Sequence, residues 1–501
     1  MSQTNEEFND RWGIILASLG MAIGAGNLWR FPRLAGQYGG SFILLWIVFL
    51  VIWSIPLLLA EFSIGKKFKK GVIGSFGSIT GKKFAWMGFF ITICTLGIAF
   101  YYSVVTAWSI EYLFISFSNL IDGLSGNHLG DKLSSNPQFL IEQWDRLSNE
   151  NLYTVIIYII VILIGVFVIS RGVNKGLEKA NKILIPTLFV LLVIVAIAAL
   201  SMEGGIRGLD YMFSVRWENF QKPIIWIEAL SQSAWSTGAG WGLMITISSY
   251  TRKNEDVTLN TFVGAFGNNT ASILAGMAIL PAVFAMSATD GEAISFLQSG
   301  SQSLTFIIVP ELFSTVPGGQ VMTVVFFLAL TLAAFSSFLP MLELLKTNLL
   351  AFNLRHKTMV IILMFVFIIF GFPSAYSLDY FSNQDWVWGL GLIVSGIFIA
   401  FATAYYGVDK FKRELIDNDS DLVVSSALFK IFIYINIALG LVLIYWWMSQ
   451  GYSEYPWLDA SNRWNWYDVY SNASITTQWG LVIIIGIFVN NYLYKKYCKT
   501  K

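Results

Sequence analysis

Gly20, Gly24 and Gly26 fall within one short stretch of an otherwise apolar segment, Gly20-Met21-Ala22-Ile23-Gly24-Ala25-Gly26-Asn27-Leu28-Trp29-Arg30-Phe31-Pro32. Each glycine costs a helix interior about 1 kcal/mol relative to alanine. Backbone that unwinds at membrane depth is tolerated only where it is buried in protein or lines a cavity. Its freed carbonyls are then hard oxygen ligands. The charge of Arg30 argues against a plain membrane anchor. The stretch therefore reads as a broken helix that binds something. A second cluster, Ser236-Thr237-Gly238-Ala239-Gly240-Trp241-Gly242, interrupts a later apolar segment at mid-length. Close helix packing through small residues explains one such cluster. Two clusters, in corresponding segments of two halves, point to the binding site of a secondary transporter.

The polar residues near these breaks suit cations and carboxylates. A sodium ion takes oxygen ligands, which the Ala22 carbonyl and the Asn27 and Ser236 side chains would supply. Helix N-termini beside the breaks carry partial positive charge and free N–H groups suited to a carboxylate. Asn268-Asn269 places amide oxygens inside a span, where they need partners. Ser336-Ser337 offers two hydroxyls, although spacing alone favours back-bonding to their own helix carbonyls. Tyr101-Tyr102 either donates a phenol to a carboxylate or simply packs. Arg30 needs a carboxylate partner, with Asp385 at the right depth and Asp379 the alternative. Such a pair would be a removable lid or a fixed structural bond. Glu61 reads as structural. His128 and His356 read as solvated loop residues, and Cys94 and Cys498 have no metal or disulfide spacing. No H-E-x-x-H, P-loop or nucleophile elbow is present, so the chain reads as a non-enzyme whose uphill work draws on an ion gradient.

The elements that must position these groups are membrane spans. Of 501 residues 55% are hydrophobic and 13% charged, against about 25% charged in soluble domains. A net charge of +1 gives no basis for nucleic-acid binding. Twelve apolar segments reach spanning length: 13–36, 40–61, 86–117, 153–170, 177–200, 224–249, 258–286, 320–351, 358–375, 385–407, 427–448 and 478–494. The reading is an all-α polytopic membrane protein with lipid as its surroundings and two five-helix halves. Segments one and six are the discontinuous members. Residues 1–12 would be an N-terminal segment, 13–407 the ten-helix transport core, and 408–501 the last two helices and tail. Loops 66–83 and 171–182 and the C-terminal tail are rich in lysine, while loop 118–152 is acidic and loop 449–477 is rich in Trp and Tyr. The positive-inside bias then puts both termini in the cytoplasm, in a plasma (inner) membrane.

Gly24 through Pro32, the run Arg171-Gly172-Val173-Asn174-Lys175-Gly176-Leu177-Glu178-Lys179, and Gln232 through Gly242 resemble the neurotransmitter:sodium symporter family over nearly the whole chain. The resemblance implies a 5+5 inverted-repeat fold, alternating access, and cotransport of sodium with an amino acid or amine. It implies a first sodium site of the Ala22 carbonyl, Asn27, Ser236, Asn268 and the substrate carboxylate. A second would use the carbonyls of Gly20, Ile23 and Ala333 and the hydroxyls of Ser336 and Ser337, reversing the back-bonding expectation for that pair. Substrate contacts would be Met21, Ala22, Ala25, Gly26, Ile98, Tyr102, Trp235, Ser236, Gly238, Trp241, Ser337 and Met341. Arg30 and Asp385 match the outer gate. Gly24 stands where monoamine carriers have aspartate, so the substrate would bring its own carboxylate. Trp235 and Trp241 narrow the pocket toward a small neutral amino acid, glycine or alanine. The alternatives are a larger neutral amino acid, another small zwitterion such as taurine, betaine or an imino acid, or a non-transporting sensor.

Three departures from the family pattern stand out. A chloride site would use Gln232, Ser236, Asn268 and Ser272, with Trp46 where a tyrosine is expected. The cytoplasmic arginine tetrad is replaced by Asn5-Glu6-Glu7-Phe8, and its aspartate partner by Ala351. Ser249 and Tyr250 are then the candidates for a rebuilt inner gate. Trp235 replaces the usual phenylalanine lid.

Overall fold

The computed structural model describes residues 6–126 and 128–498, which are helical apart from loops and one isolated antiparallel bridge between Leu458 and Trp464. Among the described residues ten helices are long and apolar enough to cross a membrane, or eleven when the bent pair α1 (Arg11–Ala22) and α2 (Ala25–Tyr38) is one span. These two pieces meet at 53°. The second span joins α3 (Gly40–Phe49) to α4 (Ile55–Phe68). Next come α5 (Ala85–Leu124), α6 (Leu152–Ser170) and α7 (Lys179–Leu200). The sixth segment of the sequence forms α8 (Pro223–Thr237) and α9 (Leu243–Ser248), each too short to span alone. Then follow α10 (Val257–Met286), α11 (Gly319–Leu349), α12 (His356–Tyr376), α13 (Leu378–Tyr406), α14 (Ser426–Ser449) and α15 (Asn472–Leu493).

Ordinary signals start and stop these helices. Asp10 caps α1, accepting from the Gly13 N–H at 2.7 Å; its hydrogen bond with Lys182 holds its carboxyl below the usual value. Gly238, Gly240 and Gly242 all have positive φ, at 71°, 93° and 73°, which side chains with a Cβ rarely adopt. Three left-handed residues in alternation cannot continue a helix, so α8 ends at Thr237.

The pattern of exposure follows the solvent. The exposed side chains of the spans are apolar, as at Ile197, Phe365, Ile484 and Phe488, a surface far beyond the apolar patches of soluble monomers. The polar residues lie inward instead. α1 lies against α7, α10 and α11, α2 lies against α10 and α8, and α4 lies against α9. The two broken spans are thus side by side at the centre.

Glu61 on α4 is fully buried and ties the second break in place. Its Oε1 accepts from the Gly240 N–H at 2.6 Å, and its carboxyl faces the N–H groups of Gly242, Met244 and Ile245 at the start of α9. The sequence reading of Glu61 as structural fits this position. Removing the acceptor leaves a buried N–H unpaired, at a cost of about 1–3 kcal/mol. Glu61→Leu should therefore melt in detergent well below Glu61→Gln, which keeps one acceptor oxygen. Equal melting temperatures for the two variants would show that the bond does not hold the break.

Candidate functional site

The break between α1 and α2 frees carbonyls because its N–H groups are taken by side chains. Gly24 N donates to Asn27 Oδ1 at 3.0 Å, and Ala25 N donates to Tyr102 Oη at 2.9 Å. These are the N–H groups that would otherwise close helical bonds to the carbonyls of Gly20 and Met21. The Asn27 N–H bonds to Gly24 O, which leaves the Ile23 carbonyl free as well.

The freed carbonyls converge on the serine pair of α11. Ser337 Oγ lies 2.9 Å from Gly20 O and 3.0 Å from Ile23 O. Ser336 Oγ lies 3.3 Å from Ile23 O and 2.9 Å from Ala333 O. Back-bonding thus accounts only for the Ser336–Ala333 contact, and Ser337 points across to the other helix. Five oxygens from two elements meet here without a cationic side chain, which is the donor set of a small hard cation.

A second oxygen cluster lies on the other side of the break. The Asn268 side-chain amide lies 2.8 Å from Ser236 O and 3.2 Å from Ala22 O. Asn27 Nδ2 reaches it at 2.7 Å. This amide has two ways to satisfy the two carbonyls. Its NH2 end can donate to them, or its oxygen can join them around a cation. The Asn27 side chain also reaches Ser272 Oγ at 2.8 Å.

Between the clusters and one end of the molecule runs a cavity of about 390 Å³. Met21, Ala22, Gly26, Tyr102, Trp235, Ser236, Gly238, Trp241, Ser337 and Met341 line it, as the sequence suggested for a substrate. Ala25 and Ile98 do not line it; both are fully buried behind its wall. Gly24, Val105, Leu390 and Ile393 take part instead. A Cβ on Gly24 would lie 2.6 Å from Tyr102 Oη and 2.9 Å from Ser337 Oγ. No side chain fits at that position without displacing both.

Higher in the cavity Arg30 pairs with Glu228. Arg30 Nη2 lies 3.1 Å from Glu228 Oε2 and 2.9 Å from Ser231 Oγ, and Arg33 Nη2 approaches Glu228 Oε1 at 3.8 Å. Asp385, the partner expected from sequence, lines the same cavity beside Tyr101, but no ion pair joins it to Arg30. Sequence reasoning missed Glu228, although it is the lone acid of segment 224–249 and Arg30 and Arg33 share one helix face. Asp379 does not line the cavity.

The two pocket tryptophans meet edge to face with ring centroids 5.3 Å apart. Trp241 is buried, whereas Trp235 is half-buried and leans on α13. A Cβ on Gly389 would lie 2.7 Å from Trp235 Cζ2, so the missing side chain of Gly389 is what makes room for an indole. At the opposite end Ser249 Oγ donates to Thr246 O of its own chain segment, while Tyr250 Oη donates to Glu343. Asn5 lies outside the described residues.

Comparison with known proteins agrees with this geometry. The profile of the Sodium:neurotransmitter symporter family matches residues 5–129 and 145–500. The chain belongs to that family. An uncharacterized sodium-dependent transporter of Methanocaldococcus jannaschii is 31% identical over 82% of this chain and 84% of its own length. The sodium-dependent serotonin transporter of Drosophila melanogaster is 25% identical over 82% of this chain and 72% of its own. The crystal structure of MhsT in complex with L-phenylalanine matches with a TM-score of 0.72 at 26% identity, covering 88% of this chain and 99% of MhsT. The protein is therefore a sodium-dependent multi-pass transporter with the 5+5 fold, not an enzyme.

The Gly389–Trp235 contact gives a prediction. In Gly389→Ala the Trp235 indole loses its place against α13, and uptake should fall by about fivefold or more, the effect of a steric penalty of roughly 1–3 kcal/mol on one state of the cycle. Combining it with Trp235→Phe should restore much of the loss, because the smaller ring clears the new methyl. A double variant no better than Gly389→Ala would disprove the seat.

Proposed function

We propose that this chain is a sodium-coupled symporter that carries a neutral α-amino acid by alternating access. The observation that carries the substrate class is the packing at Gly24. Gly24 carries no acidic side chain, and a Cβ there would press on Tyr102 Oη and Ser337 Oγ, so in this reading the negative charge beside the Asn27–Asn268 cluster is supplied by the substrate's carboxylate. Tyr102 supports this reading: its oxygen already accepts from Ala25 N, which leaves its hydrogen free to donate to that carboxylate.

In this reading Ala22, Asn27, Ser236 and Asn268 hold one sodium ion together with the substrate carboxylate. Gly20, Ile23, Ala333, Ser336 and Ser337 hold a second. The two indoles and Met21, whose Cε would lie 3.3 Å from a Cβ on Gly238, fill the side-chain end of the pocket and favour glycine or alanine. The likeness to a structure holding L-phenylalanine favours a larger side chain as the second reading. Arg30 and Asp385 line one vestibule and would meet when it closes, Arg30 leaving Glu228.

The donors of the anion site also support chloride. Trp46 Nε1 and Gln232 Nε2 are buried without partners, on the packed helices α3 and α8. Ser272 accepts from Asn27, so its hydrogen is free. Unpaired buried donors are costly unless something accepts from them. Loops rich in lysine support a cytoplasmic position for the end bearing Tyr250 and both termini, with the vestibule outside, in the plasma (inner) membrane. The transport core of residues 13–407 would be flanked by segments 1–12 and 408–501.

Uptake of labelled glycine or alanine into proteoliposomes should require an inward sodium gradient and fall when gluconate replaces chloride. Trp241→Phe should shift competition toward larger neutral amino acids. Binding without uptake would favour a sensor, and competition by phenylalanine but not by alanine in the parent would favour the larger substrate.

A further inference from the structure

Two arginines and two acids line the outer vestibule, and they are not evenly shared. Arg30 Nη2 lies 3.1 Å from Glu228 Oε2, and Arg33 Nη2 lies 3.8 Å from Oε1 of the same carboxylate. Glu228 therefore has both guanidinium groups, while Asp385 lines the same cavity with no ion pair to either. All three paired groups are largely withdrawn from solvent. The side chains of Arg30 and Arg33 are each 20% exposed and that of Glu228 17%.

The i,i+3 spacing puts both arginines on one face of α2, but their remaining bonds differ. Arg30 donates to Ser231 Oγ at 2.9 Å, and Ser231 stands on α8 with Glu228. Its ties thus go to one helix, and one step away from α8 releases them together. Arg33 is tied elsewhere. Its Nε donates to Ser301 Oγ at 3.1 Å, in the segment between α10 and α11, and its Nη1 donates to Gln37 Oε1 at 3.3 Å, one turn along α2. These bonds keep the Arg33 guanidinium at the edge of Glu228 whatever Arg30 does.

This difference matters when the vestibule closes with Arg30 on Asp385. Without a second cation, that step would leave Glu228 as an ionised carboxylate in a shrinking cavity. A buried charge that loses its partner is strongly destabilising. With Arg33 beside Glu228 the exchange ends with one arginine on each acid, Arg30 with Asp385 and Arg33 with Glu228. The charges are the same in number before and after, and closure needs no proton.

We propose that Arg33 is a positioning residue of the outer gate, which keeps Glu228 paired while Arg30 crosses to Asp385. The proposal rests on the reading that Arg30 and Asp385 meet on closure, but not on the identity of the substrate.

The test uses full-length protein in nanodiscs with Cys94 and Cys498 replaced by alanine and a reporter cysteine at Leu390, which lines the cavity on α13. The rate of its modification by a small charged thiol reagent reads how often the vestibule is open. In sodium-free choline medium Arg33→Met should raise this rate about fivefold, because the closed state is left with an unpaired carboxylate. Arg33→Lys keeps the charge and should stay within about twofold of the parent, which a role in packing alone would not give. In Glu228→Gln no charge is stranded, so adding Arg33→Met to it should leave the rate where Glu228→Gln alone puts it. An unchanged rate in Arg33→Met, or the same rise with Glu228→Gln present, would overturn the assignment. A parent whose rate responds to sodium beside unresponsive variants would show that the role of Arg33 alone had failed. A parent whose rate is the same with and without sodium would instead reject the alternating-access reading.

Discussion

A helix that stops inside a membrane must find a partner for every backbone N–H and C=O it releases. In this protein the two kinds of group meet different fates. The donors at the breaks are taken by side chains: Asn27 takes Gly24, Tyr102 takes Ala25 and Glu61 takes Gly240. The carbonyls are left to converge on Ser337, Ser336 and Asn268. An interior with its donors satisfied and its acceptors gathered has the donor chemistry that a small hard cation takes. The rest of the site depends on this division of backbone groups.

It also explains how tightly the centre is built. Gly24 has no room for a side chain because Tyr102 and Ser337 occupy that space to serve the break. Any side chain there would have to displace them, and the glycine leaves the site without an acidic group of its own. Farther out, space is instead provided, as at Gly389, where the absence of a Cβ admits the Trp235 indole.

Much of this was legible in the residues. Glycine clusters announce broken helices because their cost in a regular span is unexplained otherwise, and both breaks fall where the clusters lie. The small and polar lining residues followed from the same stretches. What the sequence could not show was partner choice across the fold. Arg30 has carboxylates within reach on two elements, and only packing decides that Glu228 holds it. The spacing of Ser336 and Ser337 fits back-bonding, and nothing local reveals that Ser337 faces the freed carbonyls. Glu343 and Lys346 read as an ordinary i,i+3 pair, and nothing local reveals that Tyr250 arrives from a distant segment to donate to Glu343. Ile98 shares a face of α5 with Tyr101, Tyr102 and Val105, yet only those three line the cavity, a difference of depth along the helix that spacing does not reveal.

The most direct test of the central claim is a sodium titration of thermal stability with choline held at constant ionic strength. Binding at freed carbonyls predicts a melting temperature that climbs with sodium, equivalent to about 2.7 kcal/mol at a hundredfold excess over the dissociation constant of one site. In Ser337→Ala, where one hydroxyl ligand is lost, the same rise should require roughly tenfold more sodium, the consequence of about 1.4 kcal/mol of lost affinity. Equal stabilisation by sodium and choline, or an unshifted curve in Ser337→Ala, would contradict the account.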